Sequence, residues 1–577
     1  MFFKKTIDEI QKIISKKNYF LLIILGFLLI ILSILEFIGI GLIPIYISLM
    51  LDPQIIFQKF DLYRLNKIIQ STDKDQLMIY ASLILLFIFI FKNFLLSFII
   101  YFQGKVIKKI KIELSNKIFN NYMKLELKNF LLKNSSVFIR TINLDVGNTS
   151  IFMLSILSLV KEILLLFTIC ILLLIAEPVI SISLFIYFFI FFYSFYFFTK
   201  KNLFLRKKKI QQLSSDVIKL INETLGSIKE IKIFNLEKKK SYFFLKNISL
   251  NEEYAFKNYF IKSLPRLYLE ILSVLAIVLI IIFYIYSGKE LINVLPFLSL
   301  IVISAIRLIP SLNSVQTTLS TLRTIMPSYN HIKSEIKYLE ENVKLQTNKK
   351  DIIFKNKINL RDLGFSYDNK NNFVLKNVNL SINNGDKIGI VGKSGSGKTT
   401  LVNMILGLLE PSTGEIIVDD KKIVYEVDAW GDNVAYVPQE TYLIDDTIKK
   451  NILFGLDEDE DTEKNLEAVC KKAQIFEFIN SLNEMYNTKV GERGVNLSIG
   501  QKQRIGIARA LYNNPEILIF DEATSALNAE IEDEIIDQIY QLKENVTLVI
   551  ITHKPSILKN CNKIYKMVNG HLLIQKE

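Results

Sequence analysis

Long, unbroken apolar runs fill the first 312 positions of the chain and then stop. Six of them approach the ~20 residues that cross a hydrocarbon core, at 19–49, 77–102, 150–176, 178–199, 266–287 and 291–312. The first continues without a small-residue cleavage site, which predicts a transmembrane helix rather than a cleaved leader. Between the runs, 103–149 and 200–265 are long, polar and helix-like, while 176–178 and 288–290 are very short. The segment 51–76 reads either as an external amphipathic helix against a lipid tail or as a solvated loop. Residues 313–345 read as a helical continuation and then a linker. From 352 the pattern changes to short β-rich segments and turns alternating with helices, which predicts an α/β domain. The expected organisation is a six-helix transmembrane domain over 1–320, a helical extension and linker over 321–350, and a cytoplasmic α/β domain over 351–577.

Charge orients this arrangement. The chain carries a net +13, yet residues 351–577 hold 26 Lys and Arg against 34 Asp and Glu, a balance of −8 that leaves +21 on residues 1–350. Residues 200–262 alone hold 15 basic against 6 acidic side chains. Basic loops flanking membrane spans collect on the cytoplasmic side, so both termini, both long loops and the α/β domain are expected there. The excess belongs to the membrane half, so it does not argue for nucleic acid. The scattered Cys170, Cys470 and Cys561, with three histidines in all, exclude a paired-cysteine or histidine-rich metal site. The acidic "DEDEDTE" at 457–463 reads as a solvated loop.

The most specific stretch is "IGIVGKSGSGKTTLVNMI". A strand at Ile388–Val391 runs into Gly392, Ser394, Gly395, Ser396, Gly397, Lys398, Thr399 and Thr400, and then into a helix. Glycines let backbone N–H groups wrap a phosphate, and the helix N-terminus adds positive potential. Lys398 is placed to reach the β- and γ-phosphates, and the Thr399 hydroxyl to ligate Mg²⁺. Further on, "PEILIFDEATSAL" reads as a buried strand ending in Asp521 and Glu522, the first to hold Mg²⁺ and the second to polarise the attacking water. Together the two stretches predict an ATP hydrolase of the P-loop type, with ATP and Mg²⁺.

Between them lies "VGERGVNLSIGQKQRIGIARAL", which resembles the signature segment of ABC-transporter ATPase domains. Other family elements follow in order. The resemblance implies that Tyr367 stacks on adenine. It implies that Gln439 links the metal site to the membrane domain, and that His553 senses the γ-phosphate. It gives Ser498, Gly500 and Gln501 to the signature. Taken alone, Tyr367 and His553 would read as packing or surface residues; these roles are what the resemblance implies, strengthened by the order and spacing of the matching elements. Two departures stand out: Ile499 where the family has Gly, and Asn528 where it has Asp. The resemblance also implies that one chain is a half-transporter whose site closes only against a second copy, most simply as a homodimer.

The apolar runs contain Glu36, Lys92, Lys161, Glu162, Arg266, Glu270 and Arg307. The contexts "LPRLYLEIL", "AIRLIPSLN", "LEFIGIGLIPIYI" and "FKNFLL" resemble the ABC exporters that flip polyprenyl-pyrophosphate-linked oligosaccharides in the bacterial inner membrane. That resemblance implies that Arg266, Arg307 and, in place of an Arg, Lys92 meet the lipid pyrophosphate. At ~1.5 Å per residue the three lie about 22–31 Å from the outer ends of their spans, toward the cytoplasmic side. Snorkelling to water predicts the same depth, and Arg266 is one turn from Glu270. Export of a peptide, drug-like molecule or other lipid is the alternative, and an ATP-gated channel or regulator is a third reading that an intact Glu522 disfavours.

Overall fold

A computed structural model describes residues 9–51, 74–133, 135–286, 295–343, 354–367, 372–419, 421–423, 430, 433–524, 529–541 and 546–576. Segment 51–76 is therefore described only at its ends, Asn528 lies outside, and the Arg266 side chain is not described. The chain divides into two compact units, Met1–Asn120 with Ser135–Tyr338 and Asn121–Asn134 with Leu339–Glu577.

Six long helices dominate the first unit: α1 (Lys16–Leu51), α2 (Lys74–Met123), α4 (Val146–Ala176), α5 (Pro178–Gly226), α6 (Glu237–Tyr286) and α7 (Leu295–Asn342); a short helix α3 (Leu127–Leu131) follows α2. Each of the six apolar runs falls on one of them, apart from 287 and 291–294, which lie outside the described residues. Among the described residues four helices are long and apolar enough to cross a membrane, on α1, α2, α4 and α7. The other two carry shorter apolar stretches, Pro178–Ile190 and Glu270–Tyr286. The tight α4–α5 turn has a local cause. Glu177 is extended and Pro178 opens α5, because a residue before proline is pushed out of the helical region. Ser181 Oγ donates to the carbonyl oxygens of Leu173 and Glu177 across that turn.

Packing in this unit is inverted relative to a water-soluble bundle. Ile40, Ile169, Leu184, Ala276 and Leu300 meet in a core drawn from α1, α4, α5, α6 and α7. Large apolar side chains such as Phe94 and Phe167 point outward, 73% and 64% exposed. Such a surface suits lipid as solvent, and helices meet its demand by satisfying their own backbone groups.

The second unit is built on two sheets. A four-stranded antiparallel sheet has the order β2 (Leu375–Asn383), β1 (Lys357–Phe365), β4 (Thr413–Val418), β5 (Lys421–Ile423). A six-stranded sheet has the order β10 (His571–Lys576), β9 (Lys563–Val568), β3 (Lys387–Gly392), β8 (Thr547–Ile551), β7 (Ile517–Asp521), β6 (Val434–Val437). All its pairings are parallel except β10 with β9. β7 and β8 are buried at every residue, as expected of central parallel strands covered on both faces. Their side chains alternate between two cores. Ile517, Ile519, Val549 and Ile551 join Leu401, Val402 and Ile405 of helix α8 (Lys398–Ile405). Leu518, Phe520, Leu548 and Ile550 join Ile505, Ala508 and Leu511 of helix α9 (Ile499–Tyr512).

The first long basic loop contributes to this unit. α2 ends at Met123, and α3 packs Leu127 against the antiparallel-sheet core. Lys128 Nζ donates to the Ser366 carbonyl at 3.3 Å and sits 5.8 Å from the centre of the Phe365 ring.

Candidate functional site

Parallel strands deliver their carboxyl ends to one edge of the sheet, where open α/β folds bind ligands. Here β3 leads into the glycine loop and α8, β7 ends at Asp521, β8 leads to His553, and β6 leads to Gln439. The six-stranded order thus brings together residues that lie far apart in sequence.

The loop is shaped for close backbone approach. Gly395 and Gly397 take positive φ, +76° and +109°. A Cβ on Gly392 would come within 2.7 Å of the Met567 carbonyl oxygen. Lys398 is 6% exposed and closes the loop on itself, donating to the carbonyls of Gly392 at 2.8 Å and Lys393 at 3.1 Å. Ser396 Oγ is buried without a partner, an unmet group in a cradle of backbone donors. Tyr367 lies beside α8, its hydroxyl 3.3 Å from Thr400 Oγ1 and its ring edge-on to Phe365 at 4.8 Å.

The acidic half is equally connected. Thr399 Oγ1 donates to Asp521 Oδ2 at 3.2 Å, and the Tyr436 hydroxyl donates to the same oxygen at 3.3 Å. Burial raises the Asp521 carboxyl above its ordinary range, against the pull of those two donors. A hard cation fits this oxygen pair, since it supplies the charge that burial removes from water. Glu522 sits in the left-handed region, φ +54°; its N–H donates to the Ile551 carbonyl at 2.9 Å. Non-glycine residues in that region cost on the order of 1–3 kcal/mol and gather at functional sites. Its Oε1 lies 2.7 Å from His553 Nε2 and 3.6 Å from Lys398 Nζ, and Oε2 accepts from Gln439 Nε2 at 3.2 Å. The carboxylate is thus oriented by three side chains, from the start of α8 and from the segments that follow β6 and β8.

Ser498, Gly500 and Gln501 sit apart from this cluster in their hydrogen bonding. Ser498 caps α9, and its hydroxyl accepts from the Gln501 N–H while the Gln501 side chain accepts from the Ser498 N–H. Such a capping box fixes the start of a helix whose N-terminal turn attracts anions. Ile499 is 67% exposed, so the departure from glycine costs no packing. Gln503, on the same helix, donates to the Gln439 carbonyl at 3.3 Å. Gln503 and Tyr436 were not singled out by sequence. Tyr436 stands in the "YVPQE" motif, where it reads as an ordinary strand aromatic.

In the helical unit, Arg307 meets a carboxylate of its own chain. Its Nη1 lies 3.8 Å from Glu36 Oε1, and Lys92 Nζ donates to Glu36 Oε2 at 3.1 Å. Lys92 is 1% exposed and lies over the Phe89 ring. It is therefore enclosed, with the Glu36 carboxylate as its partner, rather than snorkelling to water. Arg307 keeps 39% of its side chain exposed. Arg266 is placed on α6 by its backbone only. Glu162 is buried, takes a 2.5 Å hydrogen bond from Ser311 and lies 3.0 Å from Lys161.

Comparison with known proteins fits each half separately. Residues 375–525 match the ABC transporter family, and residues 27–311 match the ABC transporter transmembrane region. Over 216 residues, 37% of this chain and 30% of the relative, it is 43% identical to the alpha-hemolysin translocation ATP-binding protein of Escherichia coli O157:H7. Over 279 residues, 47% of this chain and 44% of the relative, it is 35% identical to the heterocyst differentiation ATP-binding protein of Nostoc sp.. A putative multidrug export ATP-binding/permease protein of Staphylococcus aureus is 39% identical over 218 residues, 38% of this chain and 37% of that protein. The chain thus matches less than half the length of each of these relatives. The structure of a bacterial Atm1-family ABC exporter with ATP bound shares the fold, with a TM-score of 0.72 at 19% identity, covering 96% of this chain and 94% of the other.

Proposed function

We propose that this chain, which belongs to the ABC transporters and joins their transmembrane region to one ATP-binding domain, is an ATP-driven exporter. The carrying observation is the convergence of Lys398, Thr399, Gln439, Asp521, Glu522 and His553 at one sheet edge.

The geometry and the family resemblance together support the following roles. Backbone N–H groups of the glycine loop and Lys398 bind the phosphates; Lys398 exchanges its carbonyl partners for phosphate oxygens. Thr399 and Asp521, with Gln439 close by, would hold Mg²⁺, which supplies charge neutralisation to the transferred phosphoryl group. Glu522 orients the attacking water and accepts its proton. His553 and Gln439 fix the Glu522 carboxylate, so a change at either position alters both the base and its surroundings. Tyr367 offers the adenine a ring. Ser498 and Gln501, joined in a capping box, complete with Gly500 the site of a second copy; on this reading the chain is a homodimer in the bacterial inner membrane, with both termini cytoplasmic. α3, part of the basic 103–149 loop and packed in the ATPase unit, supports that orientation.

For the cargo we propose a polyprenyl-pyrophosphate-linked oligosaccharide, flipped from the cytoplasmic leaflet to the outer one. Support comes from the membrane motifs and from the partly exposed Arg307 guanidinium. A second reading, export of a peptide, toxin or drug-like molecule, is favoured by the similarity to the hemolysin translocation and multidrug export proteins. Reconstituted protein given a labelled lipid-linked oligosaccharide separates the two. ATP-dependent appearance of label in the far leaflet is expected. ATP hydrolysis without label movement moves the assignment to the second reading.

A further inference from the structure

Three charged side chains from three helices meet in the helical unit, and one carboxylate serves two cations. Each oxygen of Glu36 has its own partner: Oε2 takes Lys92 at hydrogen-bond distance, while Oε1 faces Arg307 at 3.8 Å. The two cations differ in setting. Lys92 and Glu36 are 1% and 6% exposed at the side chain, so neither leaves the pair without an uncompensated buried charge. Arg307 is 39% exposed and too far from Glu36 for a hydrogen bond, so its donor fork is available. One negative charge also leaves this trio one positive charge in excess, which a membrane interior disfavours. Pro310, three residues on, removes the backbone hydrogen bond to the Ile306 carbonyl beside Arg307.

We propose that Glu36 is an exchangeable counter-ion: Lys92 pins it in place, and a phosphate-class anion on the cargo takes its place on Arg307. Glu36 is then a specificity-determining residue, holding the guanidinium in position when the site is empty and competing with weaker anions for it. Phosphate is the fitting class because a guanidinium binds it through two parallel N–H groups. The proposal rests on the export reading and deepens its cargo assignment. Lys92 thereby becomes a positioning residue, and Arg307 the cation that the cargo touches.

The test is direct binding of fluorescent polyprenyl pyrophosphate to full-length protein in nanodiscs, with ATP hydrolysis recorded in the same samples. Glu36→Gln removes the competing charge and is expected to tighten binding about tenfold, the size of effect open to a close charge partner. Glu36→Gln with Lys92→Met leaves no buried charge unpaired and is expected to tighten binding in the same sense, which covers a single variant that fails to fold. Arg307→Gln is expected to abolish binding. Uncharged polyprenol is expected to bind all forms alike. Competition by inorganic pyrophosphate assigns recognition to the headgroup alone, and its failure to compete assigns it to headgroup and tail together. Unchanged or weaker binding in both Glu36 variants overturns the proposal, as does wild-type protein that does not bind the probe. Either result with ATP hydrolysis intact leaves the ATP-driven export reading standing; absent hydrolysis contradicts that reading separately.

Discussion

The ATP site and the Glu36–Lys92–Arg307 cluster both gather charge, but they do it by opposite means. At the sheet edge, strands fix the positions and the side chains remain within reach of a ligand: His553 is 48% exposed and Glu522 15%. Between the helices, the strongest pair is sealed, and only Arg307 retains exposure. The first arrangement suits repeated chemistry on a soluble substrate. The second spends most of its charge on holding helices together and leaves one group to act.

That contrast can be broken most severely at the sealed pair. Lys92→Ala leaves Glu36 facing only a distant guanidinium, and a loss of about 3–5 kcal/mol is expected for a broken buried pair. Thermal unfolding of the detergent-solubilised protein reads it as a large fall in Tm of the helical unit, and a shift within 1–2 °C would show that the pair is not structural. A smaller effect is expected at a partly accessible pair in the ATPase unit. Asp386 accepts from Lys563 Nζ and Asn562 Nδ2, each at 2.8 Å, and from the Asn383 N–H. Burial pushes its carboxyl up, but these donors together outweigh it and hold the group below its ordinary value. Its stabilisation is therefore fully present above about pH 4 and fades as pH falls through the lowered value. Asp386→Asn should cost on the order of 1 kcal/mol at pH 6 and progressively less in acid. Urea titrations at pH 6 and pH 3 check this, and a penalty that grows in acid would contradict it.

How far each region was legible follows from the same contrast. Glycine-loop chemistry is local: loop, lysine and following helix are contiguous, so Gly392 to Thr400 could be read directly. Asp521 and Glu522 stood at the end of four apolar residues that had to form a buried strand. The hydrogen bond from Tyr436 to Asp521 was hidden, because an aromatic in β6 looks like core until the order β7–β6 is known. The Ser498–Gln501 capping box was visible in principle as a Ser followed three residues on by Gln. In the membrane half, α1 is apolar on all sides, so nothing in its periodicity says which way Glu36 faces. The depth of Lys92 and Arg307 could be counted, but their shared carboxylate depends on helix packing across 56 and 271 positions of chain. The break after Met123 that places 121–134 with the ATPase unit was likewise lost in a long polar stretch that reads as helix throughout.

The most direct test of the account is ATP turnover by purified wild-type and Glu522→Gln protein, with nucleotide binding measured alongside. The account predicts that binding is retained while kcat falls about 10²–10⁴-fold, the contribution of a positioned general base. Equal turnover in the two proteins would contradict it, because the Gln439- and His553-anchored carboxylate would then have no part in hydrolysis.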